Sequence, residues 1–221
     1  MKEYQKIETP FVRDTEGTKK LIFGKFRNPM VEYLKDLRWI CTEKVDGTNI
    51  RVHWDGHKFN FYGRTDVAAI PTFLYTKLEE IFRNNKTEQV IEQLFGDRQV
   101  MLVGEGYGNK IQKCGSNYIS NGVDFIGFDV MVKQIEGERW IYLDRRDAEE
   151  IFQALGIKIV PIFSIMPLTE AVHHVLSKPY SLISEKKQVM EGLVCVPEVS
   201  VYDKQGHRII VKIKVNDFEQ K

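Results

Sequence analysis

The chain has 221 residues, 43% of them hydrophobic and 29% charged, with 32 Lys and Arg against 31 Asp and Glu for a net charge of +1. That length buries a core without disulfide staples, and the composition excludes collagen-like, low-complexity and disordered architectures. Near-neutral charge neither demands nor excludes a nucleic-acid partner, because the two signs can be segregated on the surface. No apolar run approaches the roughly 18–20 residues of a membrane span, and Met1-Lys2-Glu3-Tyr4-Gln5-Lys6 lacks the apolar core of a signal peptide. Cys41, Cys114 and Cys195 are odd in number, far apart and in no Cys-x-x-Cys pair, which reads as reduced thiols in a cytoplasmic protein.

In chain order, Asn28-Pro29 followed by Met30, Val31, Leu34 and Leu37 predicts a capped amphipathic helix. Arg38 to Thr42 reads as a strand. Asn49 to Trp54 and His57 to Tyr62 flank Asp55-Gly56 as a hairpin with a type I′ turn. Helices are predicted over Thr72 to Asn84, over Glu88 to Phe95 stopping at Gly96, and over Arg145 to Leu155 stopping at Gly156. Thr169 to Lys178 is a further short helix with Thr169 as its N-cap. Strands are predicted over Val100 to Val103, Asp124 to Lys133 and Glu138 to Leu143. Gly192 to Pro197 and His207 to Val215 face each other across Gln205-Gly206. No linker, repeat or long charge run divides the chain, so it reads as one domain. Because many strands are joined by hairpins, the fold class is α+β with largely antiparallel sheets flanked by helices.

The sharpest local feature is Glu43-Lys44-Val45-Asp46-Gly47-Thr48-Asn49. A lysine sits between two strands, and Asp46-Gly47 forces a tight turn that holds it at a sheet end. Alone, this tetrapeptide reads as an ordinary surface turn. Further short motifs change that reading: Gly63-Arg64-Thr65, twenty residues on from the lysine (64 − 44), Gly104-Glu105 to Lys113, Asp124-Phe125 to Val130, Glu191-Gly192-Leu193-Val194, and Val211-Lys212-Ile213-Lys214 followed by Asn216-Asp217-Phe218.

In this order and spacing the motifs resemble those of the covalent nucleotidyltransferases, the ATP-dependent RNA and DNA ligases and the mRNA capping enzymes. The likeness covers roughly residues 44 to 218. It is strongest to the phage-type RNA ligase 2 family, whose first motif ends in Asn, as Asn49 does here, where DNA ligases usually carry Arg. Some phage members have His in place of Asp46. The resemblance implies the nucleotidyltransferase fold, an ATP-grasp-like ligase adenylation domain. It also implies ATP and Mg²⁺ (or Mn²⁺) as cofactors, and RNA 5′-phosphate and 3′-OH ends as partners, in RNA repair. In such ligases a lysine takes AMP from ATP, AMP passes to the 5′-phosphate, and a 3′-OH attacks that activated end. Phage origin is suggested on the same ground.

On this resemblance Lys44 is the nucleophile. It must attack as a neutral amine, and a free lysine has a pKa of about 10.4, which burial and neighbouring cations lower. Lys212 and Lys214, two apart on a strand, point the same way and supply positive charge at the α-phosphate. Read alone they are an exposed basic face. Arg64 has the fork geometry to clamp a phosphate. Glu191 is the candidate metal ligand, since Mg²⁺ prefers oxygen. The resemblance gives Glu105 a contact to the ATP ribose, Phe128 the stack on adenine, and Asn49 a place in the nucleotide site. Strand alternation puts Phe128 and Val130 on one face and Phe125 on the other, so a core role for Phe128 is a rival. Asp46 shapes the turn.

Other features take ordinary readings. Gly104-x-Gly106-x-Gly108 is followed by no helix and is not a dinucleotide loop. His173-His174 lacks partners at metal-ligand spacing. Trp54 and Trp140 pack. Lys19-Lys20, Arg145-Arg146 and Lys186-Lys187 are solvated pairs, one of which can track an RNA backbone. Alternative readings are the adenylation domain of a DNA ligase, an mRNA guanylyltransferase, and a nucleotide- or RNA-binding protein without turnover. The chain ends seven residues after Lys214 (221 − 214), so no C-terminal domain is expected after the Val211–Lys214 motif. The expectation is a minimal ligase, a trimmed one, or one that relies on a partner protein for that function.

Overall fold

A computed structural model describes residues 2–218 of the chain. In chain order the elements are β1 (Phe11–Arg13), β2 (Leu21–Phe26), α1 (Pro29–Leu34), β3 (Trp39–Lys44), β4 (Thr48–Trp54), β5 (Phe59–Tyr62), α2 (Thr72–Phe82) and α3 (Asn85–Phe95). There follow β6 (Val100–Gly108), α4 (Gly115–Tyr118), β7 (Val123–Lys133), β8 (Trp140–Tyr142), α5 (Arg145–Ala154), β9 (Ile162–Met166), α6 (Leu168–Leu176), β10 (Gly192–Pro197) and β11 (Val211–Lys214). Every ladder between these strands is antiparallel. The class is α+β with antiparallel sheets flanked by helices. Among the described residues, no helix is long and apolar enough to cross a membrane.

The chain forms two compact units. One comprises Asp46–Val160 with the N-terminal stretch as far as Tyr4; the other comprises Gln5–Val45 and the chain from Pro161 on. None of the three crossings, after Tyr4, Val45 and Val160, lies in a Gly/Ser-rich linker, and the second falls inside the Lys44–Asn49 motif.

In the unit from Gln5, the four-stranded sheet runs β11-β10-β3-β9. Period-2 alternation decides its faces. Trp39, Cys41, Leu193, Cys195, Val211 and Ile213 turn into a core with Leu168, Ala171, Val172 and Val175 of α6 and Val31 and Leu34 of α1. Helix α1 stops at Leu34, short of the predicted Leu37. Trp39 Nε1 donates to the Leu34 carbonyl at 2.9 Å, closing the helix end, and Leu37 is left exposed. Helix α6 begins at Leu168 behind Pro167, not at a Thr169 cap. Its first N–H needs no side-chain cap because Leu168 N donates to Lys35 O at 2.8 Å. The predicted last strand is shorter, Val211–Lys214. Strands β1, β2 and β9 carry no sequence signal that had singled them out.

The unit from Asp46 holds the five-stranded sheet β5-β4-β6-β7-β8. One face packs Ile50, Val52, Val100, Leu102, Phe125 and Val130 on Leu74, Leu78, Phe82 and Ile91 of α2 and α3 and on Ile151 and Phe152 of α5. Helix α3 starts three residues before the expected Glu88, because Asn84 accepts from Thr87 N at 3.0 Å as its N-cap. In the β4–β5 hairpin only Gly56 has positive φ, at 102°, so the turn lacks the two such residues of type I′. Asp55 closes it by accepting from His57 N and Lys58 N. The Gly104–Gly108 stretch is the second half of β6. A bulge in β7 also overturns strict alternation. Val103 pairs with Asp129 and Gly104 with Gly127, leaving Phe128 as the extra residue. Phe125 and Val130 therefore share the core face, and Phe128 stands outside it.

Candidate nucleotidyl-transfer site

In the unit from Gln5, Lys44 ends β3, and Lys212 and Lys214 lie two apart on β11. Between those strands runs β10. Gly192 is the direct register partner of Lys44 on one side and of Lys214 on the other, and Val194 pairs with Thr42 and Lys212. All three lysines therefore share the sheet face away from the Trp39–Cys41–Leu193 core. Gly192 is required there, because a Cβ would sit 1.9 Å from the Ile213 carbonyl oxygen. The residue before it supplies the counter-charge. Glu191 Oε2 accepts from Lys44 Nζ at 2.6 Å, and Glu191 Oε1 lies 2.7 Å from Lys214 Nζ. The carboxylate is only 16% exposed and Lys44 21%, so the pair is shielded far more than a surface bridge.

The electrostatic strain of this cluster shows on Lys212. Burial lowers its pKa, and the positive charges of Lys44 and Lys214 lower it further, against opposing pulls from Glu8 and Asp217. On the opposite face of β3, Glu43 is fully buried. Burial pushes its carboxyl up, although it accepts from Ser181 Oγ at 2.5 Å and Leu182 N at 2.7 Å. Glu43 thus ties the segment after α6 to the strand that carries Lys44. Sequence reasoning did not single it out for this role. Its signal was a charged residue at a position where alternation predicts core.

In the other unit, Asn49 on β4 and Glu105 on β6 are direct sheet partners and share a face. The Asn49 Oδ1 atom is buried and has no hydrogen-bond partner among the described residues. Phe128 stands at the β7 bulge, its ring 5.4 Å from that of Tyr4 in an edge-on arrangement, and Tyr4 OH donates to Asp129. The turn after Lys44 is braced from a loop no motif marks. Tyr118 OH accepts from Asp46 N at 3.3 Å, and Gln112 Nε2 donates to Gly47 O at 2.9 Å. Gly47 must be glycine, since a Cβ would meet Gly106 O at 2.4 Å. Arg64 is exposed on the loop after β5.

The predicted residues thus fall into two sets. Lys44, Glu191, Lys212 and Lys214 converge in one unit; Asn49, Glu105, Phe128 and Arg64 belong to the other. Among the described residues no group of three or more His, Cys, Asp and Glu side chains is placed to hold a metal. Glu191 is the carboxylate bonded to both Lys44 and Lys214, and one carboxylate suits a cation that keeps most of its waters. His173 packs tilted against Phe23, and His174 packs edge-on against Phe163. Arg145 is not solvated: it binds Glu149 at 2.7 Å and donates to Val160 O at 2.6 Å.

Comparison with solved structures returns RNA ligase of Naegleria gruberi. A mutant with ATP and Mn superposes at TM-score 0.61 and 23% identity, over 85% of this chain and 52% of that one. The same ligase with PPi matches at TM-score 0.61 and 20% identity, over 98% and 63%. A mutant with AMP and Mn matches at 0.61 and 22%, over 95% and 61%. The chain spans between about half and five-eighths of the length of these structures, and at such identities they establish the fold. No curated protein matches the sequence. The family model for RNA ligase matches residues 37–214, which takes in every motif from Lys44 to Lys214, and the chain belongs to the RNA ligase family.

Proposed function

We propose that the chain is the adenylyl-transferring part of an ATP-dependent RNA ligase, which joins 3′-OH and 5′-phosphate RNA ends through a lysyl-AMP intermediate in RNA repair. The observation that carries this reading is the convergence of Lys44, Lys212 and Lys214 around Gly192, with Glu191 bridging the first and the last. In the first step Lys44, having released one ammonium proton to solvent, attacks the α-phosphorus of ATP with its Nζ lone pair and gives up a second proton as the bond forms. A P–N bond forms, the P–O bond to the β-phosphate breaks, and pyrophosphate leaves. Lys212 and Lys214 stabilise the negative charge that develops on the phosphate oxygens. Glu191 orients the attacking amine through its 2.6 Å contact. In the second step an oxygen of the RNA 5′-phosphate attacks the same phosphorus and the P–N bond breaks, regenerating Lys44. In the third the 3′-OH attacks the 5′-phosphorus and AMP departs.

Mg²⁺ or Mn²⁺, when bound, supplies charge neutralisation on the phosphates, and Glu191 is the residue of this chain that would hold it. We assign adenine stacking to Phe128, the ribose to Glu105, a nucleotide hydrogen bond to Asn49, and a phosphate clamp to Arg64. The buried, partnerless Asn49 Oδ1 supports a ligand at that point. Asn49 in place of the arginine usual in DNA ligases supports the RNA branch.

Radiolabelled ATP tests the reading. Label should remain on the protein through acid, with a mass increment of one AMP on Lys44, and GTP should give none. Label that persists in Lys44→Ala would overturn it. Nicked duplexes made of RNA, of DNA, or of both test the substrate. Sealing of DNA nicks alone would refute the RNA assignment. Pre-adenylylated RNA isolates the third step.

A further inference from the structure

The strand after the Lys44 turn carries a charged residue that no motif contains. Arg51 lies on β4 between Ile50 and Val52, and its side chain is 0% exposed. Burying a cation costs several kcal/mol unless good hydrogen bonds compensate. An apolar residue would fill the position at no such cost. Each of the three guanidinium nitrogens donates a hydrogen bond instead. Nε donates to Gly63 O at 2.8 Å, Nη2 to Asp66 Oδ1 at 2.8 Å, and Nη1 to Lys2 O at 2.7 Å. Its flat face lies 5.5 Å from the ring centroid of its cross-strand neighbour Tyr62.

Two of those partners, Gly63 and Asp66, straddle Arg64-Thr65. The rigid fork of one guanidinium therefore holds both ends of a four-residue segment whose second residue is the exposed Arg64. A further bond, from Ala68 N to Thr65 O at 3.2 Å, closes the loop behind it. The hydrogen bond from Arg51 also holds the Asp66 carboxyl below its usual pKa.

We propose that Arg51 is a positioning residue for Arg64. It fixes the Gly63–Asp66 loop so that the Arg64 guanidinium is presented in one place to a phosphate. This rests on the phosphate-clamping role proposed for Arg64. Arg51 touches no substrate and acts through the loop.

The test is a double-mutant cycle on AMP transfer to 5′-phosphorylated RNA and on sealing. Arg51→Lys keeps the charge and loses the fork. Asp66→Ala releases one end of the loop from a part-exposed position, and so decides the matter should Arg51→Lys fail to fold. Misplacing a binding group by about an ångström costs up to about a hundredfold, so Arg51→Lys should slow the reaction by about 10- to 100-fold and Asp66→Ala by about 3- to 10-fold. In an Arg64→Ala background neither should cost more than about twofold further, since the group they position is gone. Losses that multiply in full with that of Arg64→Ala would overturn the proposal, as would losses that merely track the fraction of folded protein. If Arg64→Ala alone leaves every step unchanged, the role of Arg64 fails and this inference falls with it. If Arg64→Ala slows transfer to a rate that is still measurable and the cycle is additive, only the inference falls.

Discussion

Glu191 serves two ammonium groups with one carboxylate, and removing it would leave three lysines without their central counter-charge. Breaking a shielded, hydrogen-bonded pair costs more than its formation gains. Glu191→Gln should destabilise the protein by about 1–3 kcal/mol in urea unfolding and reduce Lys44 adenylylation at least about tenfold. Lys212 presents the opposite case. Its folded-state pKa is below the ordinary 10.5, so between those values the unfolded chain binds more protons than the folded one, and stability rises with pH. Lys212→Met should therefore be more stable than the parent at neutral pH, with the difference closing as pH approaches 10.5. Midpoints of denaturation across pH 7 to about 10.5 measure this. Glu43 is a carboxyl pushed up by burial. Its folded pKa is raised from 4.5, so its contribution to stability is full below that value and is lost as pH rises through the folded pKa. Glu43→Gln should remove this fall, visible as a flatter stability profile from pH 4.5 upward.

At the scale of elements, the lysine site depends on β10 running between β3 and β11 with a glycine at the point where both lysines meet it. Gly192→Ala would place a methyl group 1.9 Å from Ile213 O and 2.8 Å from Lys214 Cα, both backbone atoms that cannot step aside without unpairing β11. A loss of at least about 1–3 kcal/mol is expected, together with loss of adenylylation. Wild-type stability with low activity would show that the strand shifts rather than unpairs. Element boundaries were legible where the signal is local. Helix α3 is legible as a helix from its apolar spacing, but it starts ahead of that pattern because Asn84 caps it. The start of α6 is not legible, because its first N–H is satisfied by Lys35, a residue from a different part of the chain. The β7 bulge was not legible. Nothing in Phe125 to Val130 announces that Phe128 will be the unpaired residue, since that depends on the register taken against β6.

At the scale of the molecule, the chain leaves one compact unit after Val45 and returns to it at Pro161, so the first motif is shared between two separately packed bodies. The sequence by itself determined which residues are the candidates for the chemistry. Lys44, Glu191, Lys212 and Lys214 stand in short motifs whose residue types suit phosphoryl transfer, and period-2 alternation already placed the last two on one face. It also determined the mixed class and its antiparallel hairpins, because strand periodicity and turn residues are local properties. Only the tertiary structure decided who meets whom. Lys44 and Glu191 are 147 positions apart, yet their charged atoms lie 2.6 Å from each other. Arg51 became a buried clamp, and Glu43 a buried brace, through partners far along the chain. Periodicity specifies the face on which a side chain stands. Register, bulges and long-range pairing specify its neighbours, and those are settled by the packing of the whole chain rather than by any one segment.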